Sequence, residues 1–113
     1  MPRRDADLLI EDILAAIGKI EDYTRGVNRD AFLADAKTID AVVRNLEIIG
    51  EAARRMPAEF VTVYPDVPWQ QIAGLRNRIV HEYFGLDLEI VWQIIEHDLP
   101  QLKARLSPPD VQT

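Results

Sequence analysis

The octapeptide Arg76-Asn77-Arg78-Ile79-Val80-His81-Glu82-Tyr83 gathers the side chains of this chain best suited to proton transfer and phosphate binding. It holds two arginines, one of only two histidines, and a tyrosine two residues past that histidine. Arginine offers a planar fork to phosphate oxygens and can stabilise the charge of a pentacoordinate transition state. Histidine titrates near neutrality and can take or give the proton of a 2′-hydroxyl or a leaving oxygen. Neither role calls for a metal. Cysteine is absent, His81 and His97 are too far apart to be helix neighbours, and no H-x-x-x-H or paired-carboxylate cluster occurs. No metal and no cofactor are therefore expected. Against this stands a blander reading, because a lone histidine in a small helical protein is more often an ordinary core or surface residue than a catalyst.

Length and composition bound the rest. At 113 residues, 48% of them hydrophobic, the chain forms one folded domain, 1–113, with a core over about 5–106 and a tail at 107–113. The lack of cysteine excludes a disulfide scaffold and fits a cytoplasmic location. No apolar run reaches the ~20 residues of a membrane span, and the N-terminus lacks the apolar stretch of a signal peptide. The net charge of −6 argues against bulk electrostatic coating of nucleic acid. That charge is uneven. Residues 1–40 carry 6 basic and 9 acidic groups and 82–113 carry 2 and 6, whereas 41–81 carries 5 arginines against 4 acids. Affinity for a phosphate backbone must come from that middle segment.

The elements that position the octapeptide read as helices. Leu9 or Ile10, Ile13, Ile17, Ile20 and Thr24 recur at helical spacing in a first helix from about Asp5 to Tyr23, stopped by Arg25-Gly26-Val27-Asn28. A longer helical region follows over Asp30–Met56, with a possible break near Asp35–Thr38, its stripe marked by Phe32, Ala36, Ile39, Val43, Leu46, Ile49 and Ala53. Gly50 inside it costs roughly 1 kcal/mol against alanine, and reads either as close approach of another backbone or as a tolerated defect. Pro57–Pro68 reads as a short helical turn plus loop, and Pro68 opens a third helix predicted to run to about Tyr83. Asp87 caps a fourth, with the stripe Leu88, Val91, Trp92, Ile95, Leu99, Leu102 and Leu106. Pro100 interrupts it, and Asp98-Leu99-Pro100-Gln101 resembles a fresh capping box, so a kink or restart is expected there. No segment alternates with a period of two. The expectation is all-α: an antiparallel four-helix up-and-down bundle with a short extra helical turn.

A helical wheel through residues 70–84 puts Ile72, Leu75, Ile79 and Tyr83 on one inward side. His81 falls close to the opposite side with Asn77 one turn before it, and Arg76 lies at the edge. Ala73, Val80 and Phe84 form a second, outward apolar strip, with Gly74 beside His81. Such a split surface fits a second wall better than open water, and the inference is a homodimer whose cleft holds two copies of each polar group.

With these residues in place, the chain resembles the HepT-like (DUF86) proteins of the HEPN superfamily. The likeness covers roughly residues 5–106. It is carried by the R-x4-H-x-Y pattern, by the long helix I-D-A-V-V-R-N-L-E-I-I-G-E-A-A-R-R, and by the P-W-Q-Q-I-A-G-L lead. The resemblance implies a HEPN-like bundle and a metal-independent ribonuclease toxin of a type VII toxin–antitoxin pair, working on RNA as a homodimer. It also implies an MNT-type nucleotidyltransferase antitoxin as partner. Carried onto this chain, Arg76 and His81 would be the catalytic pair with Asn77 assisting, and Tyr83 the residue modified with AMP. For that modification the helix must end or unwind near Glu82, which Gly85 permits; otherwise Tyr83 is a buried aromatic. The competing readings are a helical module that only docks the nucleotidyltransferase, and a purely structural helical dimer.

Other residues read as supports. Glu47 and Glu51 form either a polar cluster near the site or a surface ladder with Arg44 and Arg55. Arg54-Arg55 could steer RNA but reads rather as a solvated helix end with cations at its C-terminus, Trp69 and Trp92 as core or interface anchors, and His97 as an exposed helix residue.

Overall fold

A computed structural model describes residues 2–81 and 85–107, with side chains from Asp5 to Val80 and from Gly85 to Ser107. Helix α1, Pro2–Thr24, buries Ala6, Leu9, Ile13, Ala16, Ile17 and Ile20 at spacings of three and four. The Thr24 hydroxyl donates back to the Ile20 carbonyl at 2.8 Å, and Gly26 turns the chain at φ 74°. Helix α2, Arg29–Leu33, starts where Asn28 Oδ1 accepts from the Ala31 N–H at 2.9 Å. Helix α3, Ala36–Arg54, starts afresh because Asp35 caps it through the Thr38 N–H. The long second helical region is thus divided at Ala34–Asp35, close to the break considered above.

Helix α1 lies antiparallel along α3. Leu9 and Asp12 near the start of α1 share a surface depression with Ile48, Glu51 and Ala52 near the end of α3. The short helix α4, Ala58–Val61, supplies the expected extra turn, with Phe60 half-buried against the core. Helices α5, Trp69–Ala73, and α6, Leu75–Ile79, pack on the far side of α3. There Gly50 explains itself: a Cβ on it would sit 3.2 Å from the Ile72 carbonyl oxygen. Close backbone approach is the correct reading of that glycine.

Helix α7, Leu88–Gln93, begins where Asp87 Oδ1 accepts from the Ile90 N–H at 3.2 Å, as the sequence predicts. It is held to α2 by the Arg29–Glu89 ion pair and by Phe32 against Trp92, ring centroids 5.3 Å apart. A π-helical turn, Ile94–Asp98, then leads into α8, Leu99–Leu106. The buried positions Val91, Ile94, Leu99, Leu102 and Leu106 include one step of five residues, across that turn. The predicted stripe ran through Ile95 instead, which is only half-buried. Pro100 is the physical reason: it has no N–H for the carbonyl four residues back and its ring crowds that carbonyl, and the wider π turn makes room. The expected capping box at Asp98 does not form; Asp98 has helical backbone angles and makes no cap bond. Lys103 closes the fold by reaching Glu21 of α1 at 3.1 Å.

The architecture is all-α as expected, with one exception among the described residues. Val80–His81 (β1) and Gly85–Leu86 (β2) form a two-residue antiparallel ladder, pairing Val80 with Leu86 and His81 with Gly85. No helix among the described residues is long and apolar enough to cross a membrane.

Candidate functional site

The motif segment is anchored from below. Trp69, Ile72, Leu75 and Ile79 are each under 10% exposed and hold α5 and α6 to the core. Gly74 separates the two helices, so the third predicted helix is two short ones. It also stops early. The sequence reading ran it to Tyr83, but α6 ends at Ile79 and Val80 is extended, at φ −108° and ψ 122°. Two local causes act together. Ile79 and Val80 are β-branched and suit an extended path. Gly85, at φ 73°, turns the chain back so that Leu86 can pair with Val80, and the Asp87 N–H donates to the Ile79 carbonyl at 2.7 Å.

The helical wheel therefore does not extend to His81, whose backbone lies in the ladder. Tyr83, and with it the inward placement read from the wheel, lies outside the described residues, as do Phe84 and the His81 side chain. The helix end that modification of Tyr83 would require comes three residues sooner than the sequence reading placed it.

Arg76 and Asn77 are both exposed, Asn77 as the wheel indicated and Arg76 more fully than its place at the stripe's edge implied, and they open into different depressions. Arg76 shares a depression with Glu47, Gly50, Glu51, Arg54 and Ala73, on the α3 side. Within it, Arg54 pairs with Glu51 at 3.3 Å, while Arg76 has no ion-pair partner among the described residues. Glu47 and Glu51 thus border Arg76 on one side and Arg44 and Arg55 on the other. Both arrangements read from the sequence are present, and their one ion pair among the described residues runs from Glu51 to Arg54. Asn77 instead shares a depression with Gln71, Gly74 and Arg78.

Arg78 received no role from the sequence. In the fold its guanidinium donates to Asp98 Oδ2 at 2.9 Å, tying the end of α6 to the π turn. Both side chains are more than 40% exposed, so this pair contributes at most about 1 kcal/mol. The signal available in the sequence was only the second arginine of R-N-R; its partner lies twenty residues on. His97 is exposed, as read. Trp69 is a core anchor, set edge-on to Tyr64 with ring centroids 6.2 Å apart. Among the described residues no three histidine or carboxylate side chains converge as metal ligands would.

Comparison with known proteins gives the family. Residues 13–108 match the family model described as Ribonuclease HepT-like. A Thermococcus cleftensis protein named "Probable ribonuclease HepT" is 43% identical over 105 residues, covering 93% of this chain and 94% of that one. Two Methanocaldococcus jannaschii proteins provisionally named RNases are 43% and 37% identical. The first of these matches 88% of this chain and 83% of its own length, the second 94% and 97%. No solved structure gives a significant match.

Proposed function

Because the chain belongs to the HepT-like ribonuclease family, we propose that it is the ribonuclease toxin of a type VII toxin–antitoxin pair, cutting RNA at the cleft of a homodimer. The observation that carries this reading is the break in the motif at Ile79. Arg76 stands exposed and free of ion pairs among the described residues on α6, and His81 follows on an extended strand that leaves the helix. A helix and a strand diverging from one point offer two walls to a phosphodiester, where a continued helix would offer one.

In this reading His81 takes the proton of the ribose 2′-hydroxyl, and the freed oxygen bonds to the neighbouring phosphorus. The bond from phosphorus to the 5′-oxygen breaks. The partner copy's equivalent histidine protonates that leaving oxygen, which leaves a 2′,3′-cyclic phosphate. Arg76 binds the non-bridging oxygens as their charge builds, with Asn77 assisting, and no metal takes part. The homodimer supplies the second histidine. Val80, an apolar residue 36% exposed beside the motif, supports a second chain there. A nucleotidyltransferase antitoxin transfers AMP from ATP to the Tyr83 hydroxyl with loss of pyrophosphate, and the added bulk and negative charge close the cleft to RNA.

The test is His81→Ala in the purified full chain, with folding checked by circular dichroism. RNA cleavage is expected to fall by about 10²–10⁴-fold, the usual worth of a positioned acid–base group. Cleavage at the wild-type rate by the folded variant would leave only a docking role for the motif. Treatment with the nucleotidyltransferase and ATP is expected to add the mass of AMP to the wild type and not to Tyr83→Phe.

A further inference from the structure

We propose that the groove between α5–α6 and α8 is the track along which single-stranded RNA reaches the motif. Arg78 and Arg105 hold its phosphates, and Gln71 and Gln101 contact its bases. The inference rests on the ribonuclease reading and adds to it the side from which substrate arrives and the residues that guide it.

The groove has an apolar floor that includes Ile72, Leu75, Leu99 and Leu102, and a rim of Gln71, Arg78, Asp98, Gln101 and Arg105. Gln71 and Arg78 also line the adjoining depression with Gly74 and Asn77. The two hollows therefore meet at Gln71 and Arg78, and between them they extend from α8 to Asn77 of the motif. Their charge stands apart from that of the molecule. Two arginines face one aspartate there, in a chain of net charge −6. The opposite flank, around Arg76, carries Glu47 and Glu51 against two arginines and has no such excess. A polyanion is drawn along the Gln71 flank, and on the other flank it meets only Arg76 at the phosphate to be cut.

The neutral groups are also of the right kind. Gln71, Asn77 and Gln101 are carboxamides, each able to donate and accept, as the edges of unpaired bases require. Asp98 and Arg105 are seven residues apart, so they fall on one face, about 10 Å apart along the helix. That is about three nucleotides of a stacked strand at ~3.4 Å each. Arg105 has no ion-pair partner among the described residues. Arg78 is held by Asp98 at 2.9 Å in a pair exposed enough to open at little cost. Asp98 thus keeps the Arg78 guanidinium extended over the groove until a phosphate takes its place.

The test is fluorescence anisotropy of the full-length protein with a labelled single-stranded RNA of about 12 nucleotides, its 2′-oxygens methylated so that it cannot be cut. Arg105→Ala is expected to weaken binding about tenfold and to lower the slope of log K against log salt by about 0.7, one phosphate contact. Gln71→Glu, which sets a carboxylate in the track, weakens binding as well. Asp98→Asn tightens it, because Arg78 is released and an acid removed. Arg54→Ala, on the opposite flank, leaves it unchanged. With cleavable RNA, Arg105→Ala is expected to raise KM with kcat held on the 12-mer, and to have no effect on a dinucleotide. Wild-type affinity and salt slope in Arg105→Ala, an equal loss in Arg54→Ala, or no binding by the wild type would each overturn the track. Absence of cleavage by the wild type would instead count against the ribonuclease reading, and the anisotropy series would still decide the track.

Discussion

Asp35 shows how much one side chain can fix. One carboxylate oxygen accepts from the Thr38 N–H at 3.1 Å and the other from the Thr38 hydroxyl at 2.7 Å, so the residue caps α3 directly after Ala34 closes α2. The Thr38 hydroxyl, and after it the Thr38 N–H, hold the Asp35 carboxyl below its ordinary value of 3.8. A carboxyl whose folded value is depressed stabilises the fold above the unfolded value, and that contribution is lost as pH falls through the folded value. Thermal melting between pH 6 and pH 3 is therefore expected to show the wild type losing stability at the acid end of that range. Asp35→Asn, which keeps an acceptor but not the charge, should show a shallower loss there. At this scale the sequence was informative where a residue's neighbours in the chain decide its state. Asn77 is exposed as read, and Asp87 caps the helix it was read to cap. The partner of Arg78 was not legible, because Asp98 meets it only through the fold.

Elements make the same point through packing. Gly50 faces the Ile72 carbonyl, so Gly50→Ala sets a gain in helix propensity of about 1 kcal/mol against a methyl group 3.2 Å from a backbone oxygen. That oxygen belongs to α5, whose position Trp69 and Ile72 fix in the core, so it cannot give way alone. The expected outcome is a net loss of about 1 kcal/mol by urea denaturation. RNA cleavage should also fall, because α6 and Arg76 move with α5. The faces of α1 and α3 were legible because their apolar residues keep strict helical spacing over many turns. The end of α6 was not. Ile79-Val80 permits a helix or a strand, and the choice is made by pairing with Leu86, a partner outside the motif.

For the molecule as a whole, a single chain offers one His81, and the mechanism proposed above asks for two. Sedimentation equilibrium is expected to give about twice the 12.9 kDa of the chain at micromolar concentration. A monomer mass at concentrations where RNA is cut would require one histidine to serve as both base and acid. The fold class was legible from helical periodicity, and one octapeptide marked where a site is proposed. The charge asymmetry between the two flanks of the motif was not, since it is assembled from α3, α5, α6 and α8.

The π turn at Ile94–Asp98 has a consequence for chain length. It holds one residue more than the helix needs, and the inward positions on either side keep their phase only because that residue is there to be skipped. Removing any one of Ile95, Glu96 or His97 shortens the step from Ile94 to Leu99 to four, an ordinary α-helical interval. The shorter chain would present the same apolar face, but it would close the same core only with Pro100 replaced as well, since in a continuous α-helix that ring meets the carbonyl four residues back.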